Sequence, residues 1–338
     1  MADQNNVVLE KDIAKEKSRQ RVMRVLVQIF LYLFLAIMAL IVVFPFYFMI
    51  ISSLKTLTEY RLPEQTLWPH KVEFTTEYDL PFGMEELPFG LENPPVPRNY
   101  REAFKTAHLG TLFANTLYVG VVSTVLSLII TVITAFAFAR LEFKGKNAMF
   151  AALLATMMIP GELFTITNYQ TVSDFLGLKT LGARLGSNDL QTMGDWKYTF
   201  TVLIVPFLVS VFYIYLLRQN FLQIPNELYL AAKVDGTSDF KYLWKVMIPL
   251  ALPTLISITI LKMMGAWNSY MWPRLVANDE AHSLITNGLR NAFTTTSGDV
   301  DVPVQMAAVA IVSAPLFLVF VFLRKYIMKG VSRSGIKG

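Results

Sequence analysis

"NELYLAAKVDGTSDFKYLWKVMIPLALP", residues 226–253, is a polar, lysine-bearing stretch set between two strongly apolar ones. Pro225 suits a first helical turn, where its missing N–H costs nothing, and Glu227 complements the positive end of the helix dipole. The helix should run through Leu228, Ala231 and Ala232 to Gly236, which tolerates the positive φ of a position just past a helix end. Thr237 or Ser238 then caps a second short helix, with Asp239 in its first turn. Pro249 and Pro253 mark entry into the next apolar run. The stretch therefore predicts a Gly-broken helical hairpin. Its two adjacent alanines give it a low profile that another protein can approach closely. An ordinary amphipathic connector would carry the same pattern, and the role depends on which side of a membrane the hairpin lies.

The chain around it is too apolar for a soluble domain: of 338 residues, 54% are hydrophobic and only 16% charged, with a mean hydropathy of +0.45. Six apolar segments have the length needed to span about 30 Å of hydrocarbon. They lie near 25–51, 112–139, 148–169, 199–217, 250–272 and 304–323. The first is too long for the apolar core of a signal peptide, lacks a small-residue cleavage site and follows a polar tail, so it reads as an uncleaved anchor. The expectation is an all-α polytopic membrane protein with six transmembrane helices.

With the N-terminus inside, 18 lysines and arginines fall on the cytoplasmic side and 11 outside, six of the latter in one long loop that counts little. Both termini, and the hairpin, are then cytoplasmic. The segments are a cytoplasmic tail (1–24), a first helix (25–53), an extracytoplasmic cap loop (54–111), a five-helix core (112–323) containing the coupling loop 221–249, and a cytoplasmic tail (324–338). Residues 55–110 hold seven of the 16 prolines and nine carboxylates against six basic residues, which predicts extended pieces and turns and no helix. Residues 171–198 form a second, smaller outer loop.

Several chemistries are excluded. Without cysteine there is no disulfide framework, thiolate metal site or Cys nucleophile. His70, His108 and His282 have no ligand spacing. The net charge of +5 follows from basic cytoplasmic loops, and no basic patch with interleaved aromatics suggests nucleic acid.

The hairpin resembles the EAA loop of ABC importer permeases, roughly E-A-A-x-x-D-G-A-S followed by an apolar-Pro pair. Ala231, Ala232, Asp235, Gly236, Ser238, Pro249 and Pro253 match. Leu230 stands where the motif usually has its glutamate, and Glu227 matches a second acidic position upstream. Further stretches look like the carbohydrate-importer permeases of the maltose-transporter type: "FPFYFMIISSLK" (44–55), "NYREAF" (99–104), residues 114–147, "MMIPGE" (157–162), "GAWNSYMWP" (265–273) and "KGVSRSGIKG" (329–338). Residues 71–98 look like an insertion relative to that pattern.

The resemblance implies a non-catalytic permease subunit in the cell membrane, in contact with lipid. Its partners would be a homologous second permease, two copies of an ABC ATPase and an extracytoplasmic solute-binding protein. Glu227, Ala231, Ala232, Asp235, Gly236 and Ser238 would couple it to the ATPase. The cargo would be an oligosaccharide or related sugar, with a glycerophosphate or an acidic sugar as the alternative. No cofactor is expected in this chain, ATP and Mg being held by the ATPase. "FKGKN" lacks the first Gly and the Ser/Thr of a phosphate-binding loop. A secondary transporter would instead show paired discontinuous spans and inverted repeats, which the sequence does not display.

Four polar or aromatic groups within the spans are candidates for the solute pathway. Lys262 lies roughly 15–18 Å from either end of its span, too deep to snorkel, so it must face protein or water. Glu162, behind the Pro160-Gly161 pair, lies at similar depth and is a possible ion partner. The alternative partner for Lys262 is a carbonyl or an acid of a partner subunit. Trp267 and Asn268 have the stacking face and the amide suited to sugar, and would also serve as interface anchors.

Overall fold

The computed structural model describes the backbone of residues 2–75, 96–174, 178–186, 199–294 and 301–332. α1 (Ala2–Leu54) is one 53-residue helix, so the polar N-terminal stretch runs into the first span without a break. Then come α2 (Leu57–Tyr60), capped by the Thr56 hydroxyl, and an antiparallel pair of two-residue strands, β1 (Phe74–Thr75) and β2 (Val96–Pro97). This pair closes the ends of the inserted segment, whose residues 76–95 lie outside the described part. α3 (Arg98–Thr106) follows and corrects the expectation that the cap holds no helix. Its helical period places Tyr100, Ala103 and Phe104 in one apolar cluster, a pattern hidden in the sequence by the proline-dense stretch before it.

Next are α4 (Leu109–Arg140), α5 (Lys146–Thr156), a 3-10 turn at Gly161–Leu163, α6 (Phe164–Ser173) and α7 (Leu178–Leu185). α8 (Phe200–Ile204) runs into a 3-10 turn at Val205–Phe207, and α9 (Val211–Gln223) follows. The hairpin is α10 (Asn226–Val234) and α11 (Asp239–Tyr242). A π-helical turn at Leu243–Met247 leads through α12 (Ile248–Leu250) into α13 (Leu252–Trp267). α14 (Met271–Val276), α15 (Ile285–Ala292) and α16 (Val302–Ser332) complete the described chain.

Among the described residues, three helices are long and apolar enough to cross a membrane, at Met23–Leu54, Leu109–Arg140 and Val302–Phe322. Two bent pairs, Phe200–Phe207 with Val211–Gln223 and Asp239–Leu250 with Leu252–Trp267, raise the number to five if each pair is one span. The bends are 46° and 79°. Proline accounts for much of this, because it removes a backbone donor and its ring crowds the carbonyl four residues back. Pro206 sits in the turn that breaks the first pair, and Pro249 and Pro253 flank the break in the second. The stretch 148–169 does not form the single expected helix: α5 ends at Thr156, four residues before Pro160. The expected fifth span also ends early, at Trp267 and not at 272.

α4 is the axis of the bundle. Gly120, Ser123, Thr124, Ser127, Thr131 and Ala135 are buried along it, and this small-residue stripe lets α9 and α13 approach closely. A Cβ added at Gly120 would lie 2.8 Å from the Met263 sulfur on α13. At the hairpin end, Val132, Phe136, Leu217, Phe221, Tyr242 and Met247 form one apolar cluster. At the cap end, Ala103, Leu109, Trp267, Ile285 and Ala307 form another. α16 packs on α1, α3 and α13, whereas α1 leaves most of its apolar surface from Met23 to Phe46 exposed.

Candidate functional site

A cavity of about 430 Å³ opens where α4, the α8–α9 break, α13 and α14 meet. Val119, Ser123, Phe207, Ser210, Tyr213, Lys262, Ser269 and Trp272 are among its walls. Breaking the α8–α9 span exposes backbone groups that hydrocarbon cannot solvate. The Ser210 hydroxyl meets part of this need by accepting from Tyr213 N at 3.4 Å. Lys262 Nζ meets another part, donating to the Phe207 carbonyl at 2.6 Å. The lysine left open by the sequence thus bonds a carbonyl of its own chain.

The other expected pathway residues are placed differently. Trp267 is buried at the cap end with its ring 5.7 Å from that of Phe113, and does not line the cavity. Asn268 is exposed at the end of α13 and donates its amide to the Met264 carbonyl at 2.9 Å. Glu162 lies in the 3-10 turn Gly161–Leu163, and its side chain is outside the described part. Sequence reasoning missed the hydroxyls of Ser123, Ser210, Tyr213 and Ser269. The run Ser123, Ser127, Thr131 at helical spacing on an apolar span was the available signal for the first.

The hairpin closes as its residues dictate. Gly236 adopts φ +68°, Thr237 N bonds the Ala232 carbonyl at 2.8 Å and Gly236 N bonds that of Lys233 at 3.0 Å, the paired bonds of a Schellman end. Ser238 caps α11 by accepting from Lys241 N at 3.4 Å. Across the hairpin, Lys233 Nζ pairs with Asp239 at 2.7 Å and the Tyr229 hydroxyl donates to the same carboxylate at 2.7 Å. The bond to Asp239 holds the Lys233 ammonium above its ordinary pKa. Tyr229 also packs on buried Tyr242, with ring centroids 5.1 Å apart and the rings tilted by 60°.

This inner zipper decides which residues face out. Glu227, Ala231, Asp235, Gly236 and Ser238 are exposed, whereas Ala232 packs against the chain's own apolar cluster. The two alanines thus serve opposite sides. Beside the exposed set stand Leu228, Leu230, Val234, Phe240 and Trp244, with Val234 89% exposed. The hairpin therefore leaves large apolar side chains exposed beside its polar ones.

A buried arginine ties the hairpin to the bundle. Arg140, the last residue of α4, is 8% exposed. Its guanidinium donates to the Phe221 carbonyl at 2.9 Å, to the Ile224 carbonyl and to the Asn226 side chain at 3.2 Å. One fork therefore holds the end of α9 and the start of α10. Both helices also line the cavity, α4 near its middle through Ser123 and α9 at its start through Ser210 and Tyr213.

The sequence and the fold both resemble those of named transport proteins. The chain is 29% identical over 228 residues to the arabinooligosaccharides transport system permease protein AraQ of Halalkalibacterium halodurans, covering 68% of this chain and 74% of that one. It is 27% identical over 309 residues to the sn-glycerol-3-phosphate transport system permease protein UgpE of Brucella abortus, covering 89% and 94%. A chain from the crystal structure of a bacterial ABC transporter involved in the import of the acidic polysaccharide alginate has the same fold, with a TM-score of 0.66 over 87% of this chain and 94% of that one, at 22% identity. The profile of binding-protein-dependent transport system inner membrane components matches residues 13–333, and the chain belongs to that family.

Proposed function

We propose that this chain is one permease subunit of an ATP-driven importer for an oligosaccharide or related sugar. It would form half of the pathway beside a homologous permease, with two ATPase copies on the hairpin side and a solute-binding protein at the cap. Six spans with both termini cytoplasmic suit this arrangement, the stretch 148–169 crossing as a broken helix. ATP and Mg would be bound by the ATPase, this chain being non-catalytic.

The observation that carries the reading is the hairpin's exposed apolar face, joined through Arg140 to two cavity-lining helices. A groove of the ATPase would receive that face. Closure of the ATPase pair would then move α4 and α9 as a rigid body about the cavity, the kind of transition that packed interfaces permit. The relatives' sugar-transport names support the cargo class. The test is uptake of labelled oligosaccharides by proteoliposomes holding the chain, its co-encoded permease, ATPase and binding protein. Accumulation should require ATP hydrolysis, and accumulation that persists without the ATPase would reject the reading in favour of a secondary transporter.

A further inference from the structure

The charges around the cavity bear on the cargo. Lys262 sits in its wall with one N–H bond to the Phe207 carbonyl, which leaves donors on the same ammonium unused by that bond. At the α14–α15 corner, the Tyr270 ring is flanked by two guanidiniums, Arg274 at 5.6 Å and Arg290 at 5.5 Å from its centroid. Arg274 also hydrogen-bonds the Tyr270 hydroxyl. This corner adjoins the cavity without lining it: Ser269 and Trp272, on either side of Tyr270, are in the wall, and the Thr286 hydroxyl of α15 donates to the Ser269 carbonyl, whereas Arg274 and Arg290 are exposed outside it.

Among the described residues, none of these three cations pairs with a carboxylate. The acids near the corner are Asp279, engaged by His282 at 2.7 Å, and exposed Glu280. A neutral sugar asks its pathway for hydroxyls, amides and aromatic faces, and has no use for the charge on the donors that Lys262 keeps beyond its bond to Phe207. Carboxylates do, because guanidinium and ammonium groups bind them through charge-assisted bonds that also fix orientation.

We infer that the cargo is anionic, a uronate-bearing oligosaccharide, with Arg274 and Arg290 drawing its carboxylates toward the cavity and Lys262 meeting one there. This rests on the permease reading and narrows it to one chemical class. Without cargo the Lys262 ammonium in the wall and the two exposed guanidiniums beside it would be hydrated and met by counter-ions, and the passing solute would take their place.

The test uses the complete reconstituted complex, offered one pool of pectin-derived oligogalacturonates and one pool of neutral oligosaccharides from arabinan and starch. Vesicle contents are read by mass spectrometry. Oligogalacturonates should accumulate, and Lys262→Met should lower that accumulation by about tenfold while Lys262→Arg retains most of it. Rising salt should slow wild-type uptake more than that of an Arg274→Gln/Arg290→Gln variant, because steering by exposed charge is screened. Accumulation of the neutral pool alone, unaffected by Lys262→Met, would overturn the inference and leave the permease reading standing. ATP-dependent accumulation of neither pool would count against both. A Lys262→Met complex that assembles poorly and recovers with Glu162→Gln would show that the lysine is neutralised within the chain, which also overturns the inference.

Discussion

Arg140 and Arg218 each bond the helix that carries the other. Arg140, on α4, donates to the Phe221 and Ile224 carbonyls at the end of α9. Arg218, on α9, donates its Nε to the Phe138 carbonyl in the last turn of α4 at 3.1 Å and stacks 4.0 Å above the Phe150 ring. Cations at helix C-termini satisfy orphan carbonyls and complement the dipole, and here two such ends are locked reciprocally.

The first prediction tests that lock. Arg140→Met leaves two carbonyls and the Asn226 amide without their donor, at a cost of about 1–3 kcal/mol. The hairpin should still bind the ATPase but steer α4 poorly. Solute imported per ATP hydrolysed should fall, with Arg140→Lys intermediate because it keeps charge and loses the fork. An unchanged ratio, with only less complex recovered, would reduce Arg140 to a packing residue.

Neighbouring alanines separate docking from folding. Ala231→Arg projects from the exposed face and should abolish uptake and ATPase co-purification while leaving the unfolding temperature of the chain near wild type. Ala232→Arg drives a charge into the chain's own apolar cluster and should lower that temperature, the overpacking alone costing typically 1–3 kcal/mol. Normal ATPase capture by Ala231→Arg would place the docking surface elsewhere.

Two glycines mark close helix approaches of different tolerance. A Cβ at Gly120 meets the flexible end of Met263, so Gly120→Ala should cost little. A Cβ at Gly288 would lie 2.3 Å and 2.8 Å from both methyls of buried Leu112 and 3.1 Å from its Cγ. Gly288→Ala should therefore destabilise by about 1–3 kcal/mol, and Leu112→Ala in the same chain should relieve part of that strain. Equal thermal stability of the two single variants in detergent would contradict this reading.

The cap should loosen in acid. Burial opposes ionisation of Glu59, but bonds from the His70 backbone N–H and ring, the Thr66 hydroxyl and the Lys71 backbone outweigh it and hold the carboxyl below its ordinary pKa. A group depressed on folding contributes stability that is present above its unfolded-state pKa and is lost as pH falls through the folded value. Residues 57–71 should gain mobility below about pH 4. Because the chain has no cysteine, one spin label on Leu62→Cys reports this directly. Glu59→Gln should be mobile at neutral pH and show no further acid transition.

How much of this was legible in the sequence depended on the range of the interactions. The hairpin could be read because Pro225, Gly236 and Ser238 act on their own backbone. Which alanine faces inward could not, since that is set by the Tyr229, Lys233 and Asp239 contacts across the turn. Lys262 was conspicuous as a charge in an apolar run, but its acceptor on Phe207 is 55 residues away and is freed only by a break in another helix. The cavity's hydroxyls likewise come from separate helices, and no local pattern joins them.

The way α1 is held also orders how the protein is made. Its main contact within the chain is with α16, which is synthesised after every other described helix. A nascent chain must therefore lodge α1 in lipid and keep it there while everything from Leu54 to Val302 is translated. At ribosomal speeds that wait is on the order of tens of seconds. α1 is thus made long before the helix that seats it. Until then its bare apolar surface is available to whichever other helix arrives first.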